Sequence, residues 1–363
     1  MITRQKSQLF GLAAAASISF ASITSAQAAD LPDPDGKPAD MSKPVQVFLI
    51  MGQSNTLEFG KVAGNKDGTL EHAIKTEKLY PFLVDDSGAW TTRKDVRNVS
   101  TMQGRGVYRN DWLTISGGKI GIEVGIGHQL GNAIDAPVMV LKSSIGNRSL
   151  GWDLLPKGTP RYSHDGKEQP GYQEYIDKGE IKPYKKGVSK VIGTKGRNKG
   201  KEVDPWYAGK QYDDDVANAK AVLAELDKHY PGAKSWELAG ILWWQGDKDM
   251  RNAAHVAYYE KNMIRLIKAL REDFNAPKAA FVTASLGQSK ESDTNSGHGK
   301  ILQSMKSVAS GKYKGEIGEN IGFVYSHPLS KGSSSSGHYG GNAQTYMNVG
   351  LALGAEMVKQ LKK

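Results

Sequence analysis

Nucleophilic chemistry needs an attacking group, a base in reach of it, an acid to orient the base, and donors for the charge that develops. Ser54 is placed to be the first of these. It follows Val45-Gln46-Val47-Phe48-Leu49-Ile50-Met51, an almost unbroken apolar run of strand length, and Gly52, which allows a sharp bend. A serine there stands just past the carboxyl end of a buried strand, where open α/β sheets bind ligands. A strand, a glycine and a serine also make an ordinary β-to-α turn with a capping serine, so Ser54 needs partners.

The eight histidines supply few candidates for the base. His229 and His255 fall in helical patterns and are expected at the surface. His128 falls in a helix and is a candidate core residue. His338 follows Gly332-Ser333-Ser334-Ser335-Ser336-Gly337 and precedes the last helical pattern, so a loop can return it to the sheet edge. His327, at the end of the last strand pattern, is its nearest rival. For the acid and the donors, Trp243-Trp244-Gln245-Gly246-Asp247-Lys248-Asp249 ends another strand pattern. Asp247 and Asp249 fit an acid facing the same crevice, and equally a helix cap and charged first turn. No metal-ligand cluster stands out, because Asp213-Asp214-Asp215 reads as a helix start. No phosphate loop or nucleic-acid motif occurs, and no cofactor is implied.

The elements around these residues alternate. Strand patterns at 45–51, 138–141, 238–244, 279–286 and 321–325 are separated by helical spacings at 123–134, 213–229, 253–274, 300–309 and 342–362. This predicts five parallel strands with helices on both faces, a three-layer α/β/α sandwich. Between Ser54 and about Asp111 only one short helix, near 71–79, is legible. Residues 157–210 break the alternation. They are rich in Gly, Lys, Pro and Tyr, carry the basic run Thr194–Lys201, and read as a long insertion in one domain spanning 44–363. That basic run is either a solvated loop or a glycan contact.

The start of the chain has a separate logic. Arg4 and Lys6 precede the apolar stretch Leu9–Phe20 and an Ala26-Gln27-Ala28 site, which predicts a secretory signal peptide over 1–28. A Pro- and Asp-rich leader occupies 29–43. No stretch reaches the ~20 apolar residues that a membrane span requires. The 363 residues include no Cys, which excludes disulfides, thiolate metal sites and a cysteine nucleophile. The net charge is +10, and +8 without residues 1–28. The expected location is the periplasm or beyond. Nothing in the sequence fixes the oligomeric state.

Five blocks in order resemble the SGNH/GDSL hydrolases, and more closely their sialate O-acetylesterase-like branch, which includes acetylxylan esterases of carbohydrate esterase family six. They are Gly52-Gln53-Ser54-Asn55, Ile122-Glu123-Val124-Gly125, Ser143–Trp152, Trp244-Gln245-Gly246-x-x-Asp249 and His338-Tyr339. The resemblance implies a flavodoxin-like SGNH fold and removal of O-acetyl groups from a carbohydrate. It implies Ser54 as nucleophile, His338 as base, and the N–H groups of Ser54 and Gly125 as oxyanion donors. Gln245, or else Asn147, would add a side-chain amide. Two positions depart from the pattern. Ile122 stands where the family has Pro, and Ser335 stands where it has the Asp of Asp-x-x-His. The acid must then come from elsewhere, which favours Asp247 over Asp249. A carboxylesterase or lipase for non-sugar esters, and a non-catalytic glycan-binding protein, are the competing readings.

Overall fold

The computed structural model describes residues 31, 32 and 34–363; the expected signal peptide lies outside them. All five strand patterns form strands of one sheet: β1 (Val45–Gly52), β4 (Val138–Ser143), β5 (Trp236–Trp244), β6 (Ala280–Ala284) and β7 (Ile321–Val324). The sheet has seven strands, not five. β2 (Thr92–Met102) and β3 (Gly106–Thr114) complete the order β7-β6-β5-β1-β4-β2-β3. Every pairing is parallel except that of β2 with the edge strand β3. These two strands are hard to read because β2 buries polar residues, among them Arg97, Asn98, Ser100 and Thr101. No apolar alternation marks them.

Among the described residues six α-helices of six residues or more accompany the sheet: α1 (Leu70–Lys75), α2 (Glu123–Ala133), α3 (Lys210–Ala224), α4 (Ala253–Asp273), α5 (Gly297–Ala309) and α6 (Ala343–Gln360). Successive β1 side chains point to opposite faces. Val45, Val47, Leu49 and Met51 join one core with Val216, Val222, Met263, Ile267 and Met305 of α3, α4 and α5. Phe48 and Ile50 join the other with Ile126 and Leu130 of α2 and Val349 and Leu353 of α6. A strand buried on both faces must be apolar throughout, which explains the run that ends in Ser54.

Residues 157–210 form short antiparallel pairs, 162–164 with 167–169, 174–177 with 180–183, and 191–192 with 202–203. They are tied to α3 through Asp213, which accepts from the Tyr172 and Tyr207 hydroxyls at 2.5 and 2.7 Å. Among the described residues no helix is long and apolar enough to cross a membrane.

Gly125 lies where α2 meets α6. A Cβ built on it would stand 2.5 Å from the Leu351 nitrogen and 2.8 Å from the Met347 carbonyl oxygen. Backbone cannot yield as a flexible side chain does, so Gly125→Ala should force the helices apart. The expected loss is about 1–3 kcal/mol in denaturant unfolding, with the KM for an acetyl ester unchanged.

Candidate active site

β1 lies between β4 and β5, where the strand order reverses, so its carboxyl end opens on the crevice that such sheets use for ligands. Gly52 has φ +153°, and a Cβ there would be 2.5 Å from the Trp244 carbonyl oxygen. Only glycine lets the ends of β1 and β5 run this close. The chain then enters a short 3-10 turn, Ser54–Thr56, with Ser54 half-buried at its first position.

Two side chains fix that turn. The Gln53 Oε1 atom accepts from the Gly246 N–H at 3.2 Å, the Gln245 Nε2 at 3.3 Å and the Lys248 N–H at 3.4 Å. It thus binds the serine turn to the aspartate turn. On the other side, the Thr56 hydroxyl donates to Ser144 Oγ at 2.8 Å. The loop after β4 passes close by: a Cβ on Gly146 would be 3.3 Å from that of Ser54. Asn147 follows in the left-handed region, φ +58°, with its side chain exposed.

His338 sits in a run of left-handed residues, with φ 49° at His338, 54° at Tyr339 and 66° at Gly340. Tyr339 holds the loop. Its ring stacks on Trp244 at 5.6 Å, and its hydroxyl accepts from the Gly287 N–H at 3.1 Å. The His338 imidazole lies flat on Phe59, centroids 3.8 Å apart and planes within 1°. Phe59 is five residues beyond Ser54, so the loop of the serine carries the platform for the histidine. Neither the Ser54 hydroxyl nor the His338 ring makes a hydrogen bond among the described residues. His327 Nδ1 is instead 2.6 Å from the Gly287 carbonyl.

The two aspartates differ sharply. Asp249 is fully buried and receives Gln245 Nε2 at 2.5 Å, the Leu150 N–H at 2.8 Å and the Gly151 N–H at 2.7 Å, with His255 Nδ1 at 3.5 Å. Burial pushes its carboxyl up and pushes His255 down. Asp249 therefore pins the 149–151 loop. Asp247 accepts from Ser335 Oγ at 2.6 Å and from Gln288 at 3.4 Å. Burial lowers the His338 pKa, and the Asp247 charge works against it. Neither aspartate is the cap of α4, which is Asn252.

Several expectations change with these contacts. Gly125 serves the packing of α2 on α6, and Gly146 is a second glycine close to Ser54. The Gln245 amide is spent on Asp249, Gln53 and the Arg148 carbonyl at 2.8 Å, so it is not free to meet an oxyanion. Asn147 keeps a free side chain. His229 is buried, and His255 is held against Asp249 in place of lying at the surface. His128 is core, pushed down to about 3 by burial.

Three features escaped the sequence. Phe59 is a single residue in an irregular loop, without periodicity, and Ser335 was visible only as a departure from the Asp-x-x-His pattern, not as a partner of Asp247. The third is a buried ion cluster beneath the serine loop. The Lys142 ammonium, at the end of β4, lies 2.8 Å from Glu58 and 2.9 Å from Glu123. Burial would deprotonate it, but the two carboxylates outweigh burial and raise its pKa. Glu123 belongs to the Ile-Glu-Val-Gly block, which was the available signal. A possible cation site, Asp67, His72 and Glu77, has ligand atoms within 4.8 Å of one another. Its members include His72 and Glu77 of the α1 region, which already pair at 3.8 Å.

Residues 189–359 match the family model described as carbohydrate esterase, sialic acid-specific acetylesterase. The likeness is to carbohydrate esterases. The match spans just under half of the 363 residues. The matched segment contains Gln245, Asp247, Asp249 and His338 and begins beyond Ser54. Among solved structures, the chain is similar to a protein from Arabidopsis thaliana, at 14% identity over 87% of this chain and 99% of that one, TM-score 0.47. It is similar to NanS at 14% identity over 80% and 78%, TM-score 0.41. It is also similar to a carbohydrate acetylesterase from Xanthomonas citri at 11% identity over 85% and 55%, TM-score 0.43. No curated protein matches the chain.

The unlike surroundings of the two aspartates predict opposite phenotypes. Asp249→Asn leaves a buried N–H without its acceptor and should lower unfolding stability by about 2–4 kcal/mol. Asp247→Asn should leave stability nearly intact and lower kcat by about 10⁴. Denaturant melts and steady-state kinetics on both variants check this; a stable, inactive Asp249→Asn would reverse the assignment.

Proposed function

We propose that the protein is an exported serine esterase that removes O-acetyl groups from carbohydrate, with Ser54 as nucleophile, His338 as base and Asp247 as the acid behind it. One observation carries the reading. The His338 ring rests on Phe59 of the serine's own loop and feels the charge of Asp247. Nucleophile, base and acid thus converge from the carboxyl ends of β1, β7 and β5.

In this mechanism substrate binding brings the Ser54 hydroxyl to His338. The hydroxyl oxygen attacks the acetyl carbonyl carbon as its proton passes to the imidazole. The C=O pair moves onto oxygen, and the charge is met by the N–H groups of Ser54 and Gly146, with the Asn147 amide beside them. Collapse breaks the ester bond, and His338 returns its proton to the departing sugar hydroxyl. Water then attacks the acetyl-enzyme, giving its proton to His338, and acetate leaves as Ser54 is restored. Asp247 stabilises the imidazolium in both halves. Export rests on residues 1–28.

Trp206 bears on the substrate side. Arg148, one residue beyond Asn147, lies over its ring at 4.7 Å, and Lys210 lies at 5.6 Å. The end of the insertion therefore stands beside the acyl site.

Ser54→Ala should lower acetate release from an acetylated sugar by about 10⁴–10⁶. A folded variant that keeps a tenth of the rate would refute the nucleophile. The pH profile gives a second check. The base works only when neutral, and burial disfavours its cation, so the acid limb of kcat/KM should fall below 6.5, the ordinary histidine value. A limb above that value would point to another base.

A further inference from the structure

We infer that Ser335 is a positioning residue for this reaction, holding the Asp247 carboxylate towards the base. The inference rests on the Ser54–His338–Asp247 reading. Ser335 lies three residues before His338, ahead of the left-handed kink that begins there, and is 1% exposed. Its hydroxyl has one proton to give. Gln288 Nε2 donates to Ser335 Oγ at 2.6 Å, so that proton is directed to Asp247, 2.6 Å away. The direction is fixed a second time, because Gln288 Oε1 accepts the Ser335 N–H at 3.1 Å.

Gln288 follows β6, Asp247 follows β5 and Ser335 follows β7. One hydrogen-bonded chain thus ties together the carboxyl ends of three neighbouring strands, and it ends on the carboxylate that acts on His338. Without the Ser335 hydroxyl, Asp247 would keep Gln288 at 3.4 Å and the exposed Arg251 guanidinium at 3.7 Å. The arginine would then draw the carboxylate outward. Other groups also act on this pair. His298 feels Asp247 and Asp293 and lies 3.3 Å from Gln288, Tyr339 feels Asp247, and Lys119 acts on His338 from beyond Phe59.

The test is a double-mutant cycle on the full-length protein, read with an acetyl ester. Ser335→Ala should lower kcat by about 10–100-fold, as expected for a reacting group displaced by about 1 Å, with KM changed less than about threefold. Its acid limb should move to lower pH, because Asp247 raises the His338 pKa and a displaced carboxylate raises it less. In the Asp247→Asn background the same substitution should cause no further loss, since its effect runs through that carboxylate. Ser335→Gly gives the same reading if the alanine variant melts early. Three results overturn the proposal. The first is an unchanged kcat and acid limb in Ser335→Ala. The second is a loss that multiplies fully with that of Asp247→Asn. The third is an Asp247→Asn variant with wild-type kcat, which removes the acid assignment itself and the role of Ser335 with it. The first two leave the acid in place.

Discussion

The site depends on how closely β1 approaches β5 at their carboxyl ends. Gly52 faces the Trp244 carbonyl across a gap that no Cβ fits. The serine turn and the aspartate turn consequently leave the sheet as neighbours. Gln53 then spans them with one carbonyl oxygen shared among three donors. Trp244 fixes a third component, because Tyr339 stacks on it and Tyr339 adjoins the histidine. A single strand end therefore sets the relative places of Ser54, His338 and Asp247.

Around this point the protein buries charge freely, and compensates it at Lys142 and Asp249. Lys142 is fully buried between two carboxylates. Asp249 takes two backbone donors and an amide. Burying an ion without such partners costs several kcal/mol. The gain is rigidity where loops would otherwise be mobile: Lys142 stiffens the segment between Ser54 and Phe59 through Glu58, and Asp249 stiffens the loop that follows Gly146. Not every buried acid is so well supplied. Asp215 of α3 has only Gln211 at 2.7 Å, and burial raises its pKa well above the usual range.

The five parallel strands and the larger helices were legible because their burial follows a simple period. The doubly buried β1 is apolar at nearly every position, and the helices show one apolar face. β2 was not legible, since Arg97 is buried for its bonds to the His229 and Asn110 carbonyls rather than for its apolarity. At the site, Ser54, His338 and the Gln-Gly-Asp turn were visible as polar residues at strand ends. Their ranking was not. Gly125 and Gly146 look alike in sequence, and only packing separates a glycine that admits a helix from one that stands beside a serine. Asp247 and Asp249 differ only in which donors surround them. Phe59 and Ser335 act through contacts between loops distant in sequence.

Tyr339 carries a broader implication. It and His338 are both held in left-handed backbone, a state that costs a residue with a Cβ about 1–2 kcal/mol. What sustains that conformation is aromatic stacking on Trp244 and edge contact with Tyr346, deep in the core formed with α6. His338 is thus seated by a group that has no chemistry of its own. Loosening that aromatic cluster would let the loop relax while the sheet stayed intact. Thermal inactivation of the enzyme would then precede its unfolding, because the local opening that releases the histidine requires less than the global transition.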